Sequence, residues 1–92
     1  MLIIAHHDIS NPDEFWSAAK DVTASMPATL KLHNVFPSKD MKTGTCLWEA
    51  PTVQDVQKFL DDNVGQVSKN SCYEINEEAA MGLPKVAMEA TA

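Results

Sequence analysis

Three histidines, two cysteines and thirteen carboxylates are the groups in this chain able to move protons or hold a metal. Read as strand residues, His6, His33 and Glu49 fall on one face of a sheet, because side chains alternate across an extended chain. Two imidazoles and a carboxylate can hold nickel, zinc or iron, with positions left open for water. Asp8 and Glu74 are the expected outer partners of such a set. The same residues could instead serve proton transfer. An unperturbed histidine side chain titrates near neutrality, so a histidine near Glu49 could act as a general base, with Trp48, Tyr73 and Phe36 shaping an apolar pocket. Both readings depend on register. If His33 lies directly opposite Glu49, their Cβ atoms are about 5 Å apart, and a one-residue slip puts them on opposite faces.

The remaining candidates have plainer roles. His7 points away from His6, so the adjacent pair cannot chelate as a simple clamp, and His7 is expected as a satisfied core or strand-end histidine. Cys46 and Cys72 lack CxxC spacing and are expected as reduced, buried thiols. No HxH, HxxxH or HExxH spacing, nucleophile elbow or glycine-rich phosphate loop occurs, so no nucleotide cofactor is expected.

The elements that position these groups follow from patterning. "MLIIAHHDI" is an apolar, β-rich run that reads as a buried strand. "SNPDEFW" opens a helix: Ser10 or Asn11 can cap it, Pro12 suits the first helical position, and Asp13 and Glu14 suit the positive end of the dipole. Phe15, Ala19, Val22 and Met26 give it one apolar stripe, and Pro27 ends it. Leu30–Pro37 and Thr45–Ala50 read as strands around the polar turn "SKDMKTG". Thr52 and Asp55 open a second helix, with Val53, Val56, Leu60, Val64 and Val67 on one side and Phe59 flanking. Ser71–Asn76 reads as the last strand.

This order, β-α-β-β-α-β, is the ferredoxin-like α+β pattern: a four-stranded antiparallel sheet with both helices on one face. The expected spatial order is four, one, three, two. Residues 1–76 form the domain and 77–92 an arm packing on it or on a partner. Strand parity assigns Ile3, Ala5, His7 and Ile9, then Leu32, Asn34 and Phe36, then Cys46 and Trp48, then Tyr73 and Ile75 to the helix side. Leu2, Ile4, Val35 and Leu47 fall on the open side, which is too apolar to leave in water. Two copies packed sheet to sheet would cover it, so a homodimer is expected.

Ninety-two residues suffice for one domain of modest stability. The net charge is −6, and all seven basic residues are lysines. Without the arginine fork, recognition of nucleic acid or phosphate is not expected. The longest apolar run, Met1–Ala5, is far too short for a membrane span, and no basic start with an apolar centre marks a signal peptide. A cytoplasmic setting with reduced thiols is expected.

At "LHNVFPSKDMKTGTCLWEAPTVQDVQKFL" the chain resembles the dimeric α/β-barrel superfamily of ferredoxin-like proteins. The likeness is nearest to small bacterial domains of unknown function that include a nickel-binding, nickel-responsive member. It rests on His33 and on the run Cys46, Trp48, Glu49, Ala50 and Pro51, and covers about a third of the chain. That branch usually carries Gly-Leu-Pro near the end of helix two, whereas here Gly82–Pro84 falls in the tail. The resemblance implies a dimeric barrel and a nickel or zinc ion on the sheet face. It also leaves open a cofactor-independent monooxygenase or isomerase acting on a small apolar substrate, and a non-catalytic interaction module. The enzyme reading requires a sizeable enclosed pocket between helices and sheet.

Overall fold

Leu2–Ile9 (β1) occupies the middle of the sheet because it carries apolar residues on both faces: Ile3 and Ala5 are fully buried on one, Leu2 on the other. The computed structural model describes residues 1–83. It gives β1, α1 (Pro12–Ala24), β2 (Lys31–Pro37), β3 (Thr43–Glu49), α2 (Val53–Val64) and β4 (Ser68–Glu74), in that order. All pairings are antiparallel and the strands lie β2-β3-β1-β4. This is the ferredoxin-like α+β fold, with the strand order read from the sequence. The outer stretch 84–92 of the arm, including Pro84 of the Gly82–Pro84 turn, lies outside the described residues. Among the described residues, no helix is long and apolar enough to cross a membrane.

Local chemistry sets the helix ends. The Asn11 side chain accepts the Glu14 N–H at 3.2 Å, and Pro12 opens α1. The helix stops at Ala24, short of Pro27, because the Ser25 N–H turns back to the Val22 carbonyl at 3.1 Å in a tighter closing turn. Thr52 caps α2 by accepting the Asp55 N–H at 3.1 Å. That helix ends at Val64 rather than running on to Val67, whose N–H bonds the Val64 carbonyl at 3.0 Å while its own carbonyl accepts from Ser10.

Both helices pack on one face. Ile3, Ala5, Ile9, Cys46 and Trp48 from the sheet meet Phe15, Val56, Leu60 and Val64 from the helices. On the other face Leu2 and Leu47 are buried under Ile75 and Leu83, with Ile4 beside them. The first residues of the arm therefore fold back across one end of that face.

Two strands depart from the expected parity. In β2 the pairing jumps from Leu32–Trp48 to Asn34–Leu47, so His33 is a bulge residue. Beyond it every side chain changes face. Val35 pairs with Cys46 on the helix side, whereas Asn34 and Phe36 lie on the open side. In β4 the strand begins three residues before Ser71, and Tyr73 pairs with Ile4, which puts it on the open face. Ile75 likewise packs with Leu2 there, while Glu74 falls opposite Ile3 with helix-side parity. Hydrophobicity argues for Tyr73 and Ile75 inside. What wins is a set of buried polar bonds that hold Ser68 and Asn70 inward instead.

Candidate functional site

The bulge brings His33 to Glu49. His33 Nε2 donates to Glu49 Oε1 at 3.0 Å, and the imidazole is 8% exposed against 24% for the carboxylate. The expected contact between these two residues is present, made through a bulge rather than a plain cross-strand pair. The third expected donor is elsewhere. His6 sits opposite Thr45, and its Nδ1 lies 3.4 Å from the Thr45 hydroxyl. Glu49 is opposite Leu2, four residues along the same strand. At about 3.3 Å per residue that separates His6 from the pair by roughly 13 Å.

The outer residues divide as well. Asp8 lies still further along the open face, paired with Thr43 and Lys69. Tyr73 is on the open face opposite Ile4, whereas Trp48 and Glu74 take helix-side positions. Trp48, Tyr73 and Phe36 therefore do not line one pocket. Among the described residues, no three His, Cys, Asp or Glu side chains are grouped to hold a metal ion. One chain does not supply the expected ligand set.

On the helix side, a different constellation is assembled. His7 is 1% exposed and lies between Asn70 and Cys46: Nδ1 is 2.7 Å from Asn70 Oδ1, and Nε2 is 3.3 Å from Cys46 Sγ. The direction of each bond can be deduced. Asn70 Nδ2 donates to Asp61 Oδ1 at 3.1 Å, and a carboxylate can only accept, so Oδ1 is the atom facing His7. His7 Nδ1 must then carry the proton, which leaves Nε2 as a lone pair that accepts the Cys46 S–H. Ser68 Oγ reaches Asn70 Oδ1 at 2.8 Å. Gln57 Nε2 bonds Asp61 and the Asn70 carbonyl, and Gln57 Oε1 accepts the Cys72 N–H at 3.2 Å.

Burial dominates the electrostatics of this chain of bonds. Desolvation holds the His7 pKa below its ordinary value, outweighing the Asn70 bond that favours the charged ring, and His6 adds a smaller repulsion. Burial, with a smaller contribution from Cys72, pushes the Cys46 thiol up to about 12. Cys72 is pushed up to about 11 by burial and by the nearby Asp61 charge. The resting pair is therefore a neutral thiol on a neutral imidazole.

His7 and Cys46 form part of the wall of a cavity of about 60 Å³ between the helices and the sheet, with Phe15, Trp16, Leu32 and Trp48 among its other residues. Such a volume holds roughly two waters, not a ring-sized substrate. The Trp48 Nε1–H is buried without a hydrogen-bond partner among the described residues.

No family model, curated protein or solved structure matches the chain.

Strand alternation places His7 and Cys46 on the helix side, as found, but does not join them. Asn70 falls just outside the last strand as read from the sequence, which begins at Ser71. The available signal was the alternation Ser68, Asn70, Cys72, which extends the last strand toward α2 and sets Asn70 opposite His7.

Proposed function

We propose that this protein is a small cytoplasmic domain that works as a non-catalytic homodimer, two copies packing open sheet face to open sheet face. The observation that carries the reading is the placement of Phe36 and Tyr73. They are 63% and 57% exposed, on opposite edge strands of the face that the helices leave uncovered. Half-buried Ile4 lies beside Tyr73 on the same face. Large aromatic side chains on one shared face are characteristic of an association surface. Sedimentation equilibrium tests this. The wild type is expected at twice the chain mass, and Phe36→Glu and Tyr73→Glu are each expected to shift it toward the monomer. A wild type that stays monomeric up to its solubility limit rejects the reading.

The His33–Glu49 contact supports a second, narrower reading. Two donors fall short of the three or four protein ligands of a typical transition-metal site, so a nickel or zinc ion there would need donors from the second protomer. Calorimetric titration of metal-free protein is then expected to give one ion per two chains, with affinity lost in His33→Ala. Absence of sub-millimolar binding, or an unchanged affinity in that variant, removes it. The cofactor-independent oxygenase or isomerase reading has the least support, because the cavity is too small for the substrates it requires.

A further inference from the structure

We infer that Cys46, His7 and Asn70 form a thiol site for a small uncharged electrophile, reached through the cavity between α1 and the sheet. Two observations converge on it. The first is the order of the groups. A nucleophilic atom, a base nitrogen 3.3 Å away and an amide oxygen 2.7 Å from the other ring nitrogen form the sequence used in nucleophilic catalysis, with the amide fixing the tautomer. Asn70 is itself fixed by Asp61 and Ser68, so the imidazole lone pair is held toward sulfur before any ligand arrives.

The second observation is access. His7 and Cys46 belong to the cavity wall, and the same wall includes Thr23, Val35 and Asn63, which are exposed and put its mouth at the surface.

The high thiol pKa defines the chemistry rather than excluding it. A thiol near 12 is not a standing thiolate. It behaves like an alcohol nucleophile, which reacts only when a base removes its proton during attack. The apolar wall and the 60 Å³ volume restrict the partner to a small neutral group. Methyl methanethiolsulfonate, of which only the methylthio end must enter the cavity, provides a balanced probe reaction. The S–H proton moves to His7 Nε2 as a bond forms between Cys46 Sγ and the methylthio sulfur. Methanesulfinate leaves with the electron pair of the broken S–S bond, and the imidazolium returns its proton to water. The thiosulfonate is the oxidant, and the product is a methyl disulfide on Cys46.

The test treats the full chain with this reagent and, separately, with the bulky anion 5,5′-dithiobis(2-nitrobenzoate). Peptide mass spectrometry measures Cys46 and Cys72 in the same molecules. Cys46 is expected to react with the small reagent in proportion to its concentration and to resist the large one. In His7→Asn the Cys46 rate relative to Cys72 is expected to fall about 100-fold, the scale of a general-base contribution. Asn70 is a positioning residue: Asn70→Ala is expected to lower the same ratio without slowing Cys72, whereas simple loosening would speed both. A Cys46 rate independent of reagent concentration, equal access for the two reagents, or an unchanged ratio in His7→Asn overturns the inference. If His7→Asn does not fold, the wild-type concentration and size dependence decide alone.

Discussion

Replacing Asn70 by alanine isolates the energetic role of the buried polar chain. The residue is 8% exposed and His7 only 1%, so water cannot replace the lost amide oxygen at Nδ1. Moving the proton to Nε2 offers no escape, since Nδ1 would then be an unpaired acceptor. Ser68 still has the Val64 carbonyl at 3.1 Å, and exposed Asp61 keeps Gln57. The loss therefore falls on one buried imidazole nitrogen, and such a group costs about 1–3 kcal/mol. With a urea slope of about 1–2 kcal/mol/M for a chain of this size, the midpoint should drop by about 1 M. The control is the same substitution in a His7→Phe background, where no donor is left to orphan. Double-mutant coupling of about 1–2 kcal/mol is expected from urea titrations followed by circular dichroism. A loss below about 0.5 kcal/mol, or the same loss in both backgrounds, would refute the claim that Asn70 acts through His7.

Acidification probes the same ring. The His7 pKa is held below 6.5 in the folded protein, chiefly by burial, so between its folded value and 6.5 the unfolded chain binds more protons. The stability contributed by neutral His7 is present above that window and is lost as pH falls through it. Urea midpoints at successive pH values should decline more steeply for the wild type than for His7→Gln, and parallel curves would count against the assignment. At Gly44 an added Cβ would lie 3.2 Å from Trp16 Cη2 and 3.4 Å from Cζ2. Gly44→Ala should therefore displace the indole, whose N–H bonds the Met41 carbonyl at 3.1 Å. The expected cost is about 1–3 kcal/mol, with altered tryptophan emission, and an unchanged spectrum and midpoint would show that Trp16 is not packed there.

The sequence's legibility ended where tertiary bonds override alternation. The element order, the inward Cys46 and Trp48, the outward Leu47 and Glu49 and the two faces of the first strand all follow from periodicity and capping. In those segments hydrophobicity and hydrogen bonding agree. In the second strand they do not. A bulge at His33 has no composition signature, yet it reverses the side of Val35 and Phe36. In the last strand Ser68 and Asn70 look like turn or helix-end residues until His7 and Val64 are placed beside them. The His33–Glu49 contact was legible because both residues flank a short hairpin. The Cys46–His7–Asn70 chain was not, because its members come from three strands and its tautomer is set by Asp61, which lies on α2.

The bulge in β2 also bears on what the protein must avoid. A straight border strand with free N–H and C=O groups is a template on which further chains can add without limit. At His33 the backbone rhythm is broken by one residue, so an incoming strand cannot match the hydrogen-bonding groups on both sides of the break. Growth by ladder extension at that border is thereby discouraged, while the aromatic flank at Phe36 remains free to meet another surface broadside. In the proposed face-to-face dimer such a contact would close on itself after two copies, so association there would not propagate into a fibre.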